Sequence, residues 1–141
     1  MIILDTNVIS EPMKLNSNKA VLEWLDRQEA NTLYLTSISL AELLVGIKTL
    51  PDGKRKDGLA DALGNLMSTL FEGRILSFDS DAAISYASII ANAKAKGRTI
   101  GVADGQIAAI AATHSFAVAS RDSAPFTAAG VPIINPWNKD N

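Results

Sequence analysis

The sequence contains no cysteine, only one histidine and no excess of basic residues. The absence of cysteine excludes disulfides, thiolate catalysis and cysteine-bound zinc, and it is consistent with a reducing cytoplasm. The single histidine, His114, cannot supply the pair of histidines that metal-free nucleases commonly use as general base and acid. With 13 basic and 15 acidic residues the net charge is −2. Nucleic acid could therefore be bound only through a local basic strip.

Long hydrophobic runs are also absent. The longest charge-free stretches, such as residues 105–120, contain Gln, His and Ser and fall short of the ~20 apolar residues that a membrane helix requires. The apolar start reaches Asp5 after a few residues and lacks a basic leader, so no signal peptide is expected. The 141 residues are 48% hydrophobic and 20% charged, which is typical of one globular domain with its own core. We expect a single domain over residues 1–141 that does not enter a membrane and works in the cytoplasm.

Short apolar strands alternate with amphipathic helices along the chain. Strands are predicted at residues 2–4, 33–36, 74–78 and 116–120, with an edge strand at 133–134. A helical turn is predicted at 10–13, and helices from caps at 16–18 to about 29, from 37 or 39 to about 50, over 54–71, from 80 to about 96 and over 105–114. Residues around Pro125 and 130–132 are expected to be irregular. This alternation predicts an α/β fold of three layers, with a central, mostly parallel sheet of about five strands flanked by helices.

Four acidic residues are predicted to lie at one edge of this sheet. Asp5 follows the first strand and Asp122 follows the fourth. Glu42 lies in or near the first turn of the helix after the second strand, and Asp104 begins the helix that precedes the fourth strand. Because helices in such a fold run antiparallel to the strands, all four fall at the carboxyl edge, where ligands bind in open α/β sheets.

Each acid also has a purely structural explanation. Ser39 and Glu42 have the spacing of a capping box, Asp104 could be an N-cap, and Asp5 and Asp122 could be turn residues. The convergence of four acids is harder to explain in this way, because like charges without a counterion raise one another's pKa. We therefore expect a cation among them. A set of oxygen ligands without cysteine favours Mg²⁺ or Mn²⁺.

The basic residues form two small clusters, at 54–56 and at Lys94, Lys96 and Arg98. These clusters either contact the backbone phosphates of a nucleic acid beside the acidic pocket or are solvated helix ends. Arg121, adjacent to Asp122, is better placed to contact an RNA phosphate, or else pairs with a neighbouring acid.

Aromatic side chains are few, at 6% of the sequence. Trp24 and Trp137 could stack on bases, although packing in the core or in an interface also explains them. His114 closes an alanine-rich helix, where a cation suits the helix dipole.

Five segments together resemble a PIN-domain ribonuclease. They are I-L-D-T-N-V-I-S at 3–10, A-E-L-L-V-G at 41–46, A-D-G-Q-I-A-A at 103–109, A-S-R-D at 119–122 and N-P-W at 135–137. The resemblance spans essentially the whole chain and is strongest for the VapC-like toxins, including the FitB-type branch.

This resemblance implies a metal-dependent endoribonuclease that hydrolyses RNA, with tRNA among the candidate substrates, as the toxin of a bacterial toxin–antitoxin pair. It implies catalytic and metal-binding roles for Asp5, Glu42, Asp104 and Asp122, and supporting polar roles for Thr6, Asn7 and Ser120. It also implies a cognate antitoxin, a homodimer, and operator DNA bound only through the antitoxin complex. Relatives often carry a further Asp where this chain has Pro125, so Asp122 would be the only fourth acid.

A non-catalytic binding module is the alternative function. In that interpretation the acidic rim receives a basic residue, such as an antitoxin arginine, and recognition is the whole function. A phosphoacceptor receiver domain and an Asp-x-Asp phosphatase both fit poorly, because Asn7 does not supply the second acid that either would need after the first strand.

Overall fold

A computed structural model describes residues 1–138, and a five-stranded parallel sheet lies at its centre. The strands are β1 (Ile2–Leu4), β2 (Leu33–Thr36), β3 (Ile75–Leu76), β4 (Ala117–Ala119) and β5 (Ile133–Ile134). Their order across the sheet is β3-β2-β1-β4-β5, and every pairing is parallel. The predicted α/β fold with its parallel sheet is confirmed, and the first strand is its central strand.

Helices cover both faces of the sheet. They are α1 (Thr6–Ser10), α2 (Lys19–Arg27), α3 (Ser37–Lys48), α4 (Lys54–Thr69), α5 (Ser80–Ala95), α6 (Val102–His114) and α7 (Ala124–Ala128), with 3₁₀ turns at Glu11–Met13 and Ala30–Thr32. No helix within residues 1–138 is long and apolar enough to cross a membrane.

Alternate residues of each strand face two different cores, which gives the fold its three layers. Ile3 of β1 packs with residues of α6 such as Ile107, whereas Leu4 packs with Val8 of α1 and Leu43 of α3. This follows from the period of two along a strand, which sends neighbouring side chains to opposite faces. A strand of three apolar residues can be this short because both of its faces are buried.

The segment around Pro125 is not irregular, as the sequence had suggested, but forms the short helix α7. Proline is tolerated here because it occupies the first turn of the helix, where its missing N–H group would have no intrahelical partner. Phe126 is fully buried in the α6-side core. Burial of this aromatic ring therefore outweighs the local preference for an irregular chain.

Helix α6 lies very close to helix α5 at Gly105. A Cβ atom at this position would lie 2.9 Å from Cε2 of Tyr86 and 3.1 Å from Cδ1 of Ile90, so only glycine fits without displacement of these side chains. The residue before it is Asp104, in the first turn of α6. The close approach of the two helices thus fixes where the α6 N-terminus, and Asp104 with it, lies relative to the sheet.

Candidate active site

Asp5 lies at the centre of the carboxyl edge, immediately after β1. Its backbone N–H donates to the carbonyl oxygen of Ala119 at 2.9 Å, which continues the β1–β4 pairing to the end of the strand. Its side chain is the N-cap of α1 and accepts from the N–H of Thr6, so it has a structural role at the start of this helix. It is also only 6% exposed, which is unusual for a carboxylate that serves only as a cap.

Both carboxylate oxygens of Asp5 accept hydrogen bonds. Oδ1 accepts from the backbone N–H of Thr6 at 2.8 Å, and Oδ2 accepts from the hydroxyl of Ser120 at 2.7 Å. Burial nevertheless raises the pKa of Asp5 above its usual value, because these two bonds only partly offset the loss of solvation, and the charges of Glu42 and Asp122 raise it further.

Ser120, fully buried at the end of β4, connects the predicted polar residues. Its hydroxyl donates to Asp5, and its oxygen accepts from Nδ2 of Asn7 at 3.3 Å and from the backbone N–H of Asp122 at 3.1 Å. Asn7 in turn accepts from the backbone N–H of Arg121 at 3.2 Å. One donor and two acceptor positions are all that a serine hydroxyl provides, so the side chain is fully used in holding the turn after β4 against α1.

Glu42 is joined to this network through Thr6. The hydroxyl of Thr6 donates to Oε1 of Glu42 at 2.9 Å. The capping-box explanation of Glu42 is wrong, because the N-cap of α3 is Thr36, whose hydroxyl accepts from the N–H of Ser39 at 3.1 Å. Glu42 is therefore in the second turn of the helix, where it has no capping role.

Asp104 lies in the first turn of α6 but is not its N-cap, which is Gly101. Burial raises the pKa of Asp104, and the charges of Asp5, Asp122 and Glu42 raise it further. The four acids therefore interact electrostatically, as their predicted convergence requires. Within residues 1–138 none of the ion pairs involves any of them, so their negative charge is not compensated by a basic side chain.

The donor set fits a hard divalent cation in its chemistry. All four groups are carboxylates, and burial, together with the charges of the neighbouring acids, raises the pKa of Asp5 and of Asp104. Oxygen ligands of this kind suit Mg²⁺ or Mn²⁺. No three acidic or histidine side chains in the described part of the chain are close enough to hold a metal as they stand. The acids converge but do not form a ready-made coordination shell.

Arg121 pairs with Glu11, which is not one of the four acids. Its Nη2 lies 3.8 Å from Oε2 of Glu11, and its guanidinium carbon lies 4.2 Å from the centre of the Trp137 ring. Glu11 is 4% exposed and also pairs with Lys14 at 3.0 Å. Of the two interpretations of Arg121, the structure shows the one in which it pairs with a neighbouring acid. Glu11 was not singled out from the sequence as a buried, paired acid. Its position within the largely apolar segment 8–13 was the signal that could have indicated this.

Trp24, which could have stacked on a base, and His114 both have structural roles. Trp24 is 4% exposed and belongs to the core between the sheet and α2. His114 ends α6, and its ring packs on Phe116 with 5.4 Å between ring centroids. Neither side chain belongs to the acidic edge.

The chain is thus an α/β domain with a parallel sheet, and four interacting carboxylates lie at its carboxyl edge, two of them bonded to Ser and Thr hydroxyls. In open α/β sheets this is the edge at which ligands bind. The sequence profile of the PIN domain matches residues 2–131. The chain belongs to the PIN-domain family.

Individual relatives are similar over nearly their whole length. The chain is 51% identical over 137 residues to VapC ribonuclease Y4jK of Sinorhizobium fredii, covering 97% of this chain and 98% of that protein. It is 47% identical over 138 residues to Toxin FitB of Neisseria gonorrhoeae, covering 98% and 99%. A solved structure of FitAB bound to an IR36 DNA fragment is similar with a TM-score of 0.94 and 46% identity, covering 98% of this chain and 96% of that chain.

Proposed function

We propose that this protein is a Mg²⁺- or Mn²⁺-dependent endoribonuclease and the toxin of a toxin–antitoxin pair. The observation that carries the proposal is the cluster of four carboxylates at the sheet edge, with no basic side chain in residues 1–138 paired to any of them. Membership of the PIN-domain family and the 51% identity to a VapC ribonuclease support it.

In this proposal the metal ligands and catalytic residues are Asp5, Glu42, Asp104 and Asp122. A divalent ion bound there would supply an activated water and stabilise the leaving oxygen of a phosphodiester. Because α7 begins with Pro125 in place of a further acid, Asp122 is the acid that the segment after β4 contributes.

The neighbouring polar residues have positioning roles. Thr6 and Ser120 each donate a hydroxyl hydrogen bond to one carboxylate, so the side chains of Glu42 and Asp5 are held in fixed orientations. Asn7 holds Ser120 and the backbone of Arg121. A site whose charged groups are already oriented loses little free energy to reorganisation during the reaction.

We further propose that the chain is one domain that works in the cytoplasm with a cognate antitoxin, and that it contacts operator DNA only within that complex. The FitAB–DNA structure supports the complex. A homodimer is part of this proposal, and Leu44 and Val45 on α3, which are 41% and 61% exposed, are apolar side chains that a protein contact could bury.

A non-catalytic binding module remains the second candidate. It is favoured by one observation, the absence of a preformed three-ligand group among the described residues. In that case the acids would receive a basic side chain of a partner, and no metal would be needed.

Cleavage assays distinguish the two functions. The purified full chain, free of antitoxin, is incubated with a pool of tRNA and structured RNA in Mg²⁺, in Mn²⁺ or in EDTA. We expect discrete cleavage that requires metal and is lost in Asp5→Asn but kept in Asp61→Asn, which removes the same charge from an exposed position on α4. Metal-dependent cleavage that survives Asp5→Asn would refute the proposed site. Folded protein that cleaves nothing under any condition would favour the binding module.

A further inference from the structure

Three of the four acids line two separate clefts, and Asp5 lines neither of them. The first, of about 660 Å³, is lined by Asp104 and Asp122 together with Arg98 and Thr99. The second, of about 320 Å³, has a largely apolar wall that includes Leu43 and Leu59, and Thr6, Glu42, Lys14 and Arg55 line it as well. The clefts share no lining residue. Asp122 follows β4 and Glu42 belongs to the helix after β2, and these two strands lie on opposite sides of β1. The clefts that they line therefore belong to the two sides of the strand that ends at Asp5.

Arg98 is directed into the first cleft by the end of helix α5. Gly97 adopts the left-handed conformation with a φ of 73°. The N–H of Gly97 donates to the carbonyl oxygen of Lys94 at 3.0 Å, and that of Arg98 donates to Ala93 at 2.8 Å. These are the two hydrogen bonds of a Schellman motif. The motif fixes the backbone of Arg98, whereas Lys94 and Lys96 of the same basic cluster do not line the cleft.

Arg55 is the corresponding cation of the second cleft. Lys14, the other cation that lines this cleft, contacts the buried Glu11 at 3.0 Å, and Lys56, next to Arg55 in the chain, contacts Asp52 at 3.2 Å. Within residues 1–138 neither Arg55 nor Arg98 forms an ion pair. Each cleft therefore holds one arginine whose charge is not used by the fold.

Four carboxylates repel a polyanion, and a bound divalent ion would offset only part of their charge, so cations beside the site would favour the approach of RNA. A guanidinium group suits this task because its N–H donors match the oxygens of a phosphate. Cations placed beyond the acids, in the clefts, can bind the flanking phosphates without pairing with the carboxylates. Asp5 is only 6% exposed, so the bond to be cut must be brought down to it by a flexible strand.

We propose that Arg98 and Arg55 bind backbone phosphates on the two sides of the cleaved bond, so that single-stranded RNA passes from one cleft over Asp5 into the other. The proposal rests on the proposed ribonuclease function, and it names the residues that hold the RNA on either side of the site.

The test measures RNA binding in the absence of cleavage. The full chain with Asp5→Asn is titrated against fluorescein-labelled single-stranded RNA of mixed sequence, in Mg²⁺ and at several salt concentrations, with fluorescence anisotropy as the readout. Arg98→Gln and Arg55→Gln are compared with Lys96→Gln and Lys54→Gln. The lysine variants remove the same charge one or two residues away but line neither cleft.

Each arginine variant is expected to weaken binding and to lower the slope of log affinity against log salt by about 0.7, the value for one phosphate contact on a single strand. The lysine variants should keep the parental slope. In the protein with Asp5 intact, Arg98→Gln should raise KM while kcat is retained, because the lost contact binds substrate and transition state alike. Unchanged thermal unfolding of each variant shows that the effect is not a loss of folding.

Arginine variants that behave like their lysine controls would overturn the proposal, as would RNA binding too weak to measure in the parent. A duplex of the same sequence that binds as tightly as the single strand would contradict the single-strand assignment. Failure of the ribonuclease function has a different signature. In that case the arginines still govern RNA binding, but the protein with Asp5 intact cleaves no RNA.

Discussion

Ser120 donates a 2.7 Å hydrogen bond to Oδ2 of Asp5 and thereby joins two residues that are 115 positions apart in the chain. The contact lies where β1 and β4, adjacent in the sheet, both end. It gives the most buried acid of the site a hydroxyl donor, and it ties the turn that carries Asp122 to the same point. The remainder of the acidic edge is arranged around this pair.

Replacement of Ser120 by alanine should destabilise the protein by roughly 1–3 kcal/mol, the cost of leaving buried polar groups unpaired. Oδ2 of Asp5 loses its donor, and the N–H of Asp122 loses its acceptor. We also expect slower RNA cleavage, since both acids become free to move. Urea unfolding and cleavage rates are compared with those of Ser68→Ala, which removes an exposed hydroxyl bonded to a helix carbonyl. Equal effects of the two changes would show that the contact with Asp5 has no special role.

The Asp5→Asn variant should be more stable than the wild-type protein at neutral pH when metal is absent. Burial raises the pKa of Asp5 in the folded state, so the ionised carboxylate opposes folding above that pKa, and a neutral amide removes this cost. The advantage should shrink as the pH falls and Asp5 itself becomes protonated. Thermal unfolding in EDTA measures it, with roughly 3 °C expected per kcal/mol for a domain of this size. A lower unfolding temperature for Asp5→Asn at neutral pH would contradict the assignment.

Glu11 should stabilise the protein in a pH-dependent way. Burial tends to raise its pKa, but the hydrogen bonds from Lys14 and Asn18 and the charges of Lys14 and Arg121 outweigh burial and lower it. A group with a lowered pKa stabilises the fold above its unfolded pKa, and this contribution is lost as the pH falls through the folded pKa.

The Glu11→Gln change should therefore cost roughly 1–3 kcal/mol at neutral pH, the range for a hydrogen bond to a charged group. The difference from the wild-type protein should disappear in acid. Urea unfolding at a series of pH values measures both. Glu23→Gln is the control, because Glu23 belongs to an exposed pair with Lys19 at 4.0 Å, and such pairs contribute little. A cost for Glu11→Gln that does not change with pH would mean that packing, and not charge, is responsible.

Two glycines in helices should respond to alanine in opposite ways. Gly105→Ala places a Cβ atom 2.9 Å from Tyr86, and overpacking of this kind typically costs 1–3 kcal/mol, which exceeds the gain of about 1 kcal/mol in helix propensity. Gly64→Ala meets no atom within 4 Å and should stabilise the protein by about 1 kcal/mol. Thermal unfolding measures both changes. Stabilisation by Gly105→Ala would show that Tyr86 and Ile90 can move aside at little cost in free energy.

Gly105→Ala should also reduce RNA cleavage, because the displacement of α6 moves Asp104, while Gly64→Ala should leave cleavage unchanged. Activity and stability are measured on the same preparations. Full activity in a destabilised Gly105→Ala protein would show that the position of Asp104 does not depend on how α6 packs against α5.

The sheet and its acidic edge were predictable because their signals are local. Ile2, Ile3 and Leu4 form an apolar run that ends at Asp5, and the alternation of strands and helices brings strand ends and helix starts to one edge. The topology alone therefore brings together acids that are far apart in the sequence, without any information on side-chain contacts.

The contacts between side chains were less predictable because they depend on long-range packing. The link between Thr6 and Glu42 requires that α1 start directly after Asp5, and the sequence suggested a helical turn only from residue 10. Arg121 was expected near phosphate or a neighbouring acid, and its pairing with Glu11 depends on the burial of that carboxylate. Helix α7 forms because Phe126 is buried, which local preferences around Pro125 do not reveal.

The central claim is that the four carboxylates hold a divalent cation, and calorimetric titration of Mn²⁺ into metal-free protein tests it most directly. We expect saturable binding to the wild-type protein and to Asp61→Asn, and loss of this binding in Asp5→Asn. Equal binding to all three proteins, or saturable binding to none, would contradict the claim that Asp5 and its neighbours form a metal site.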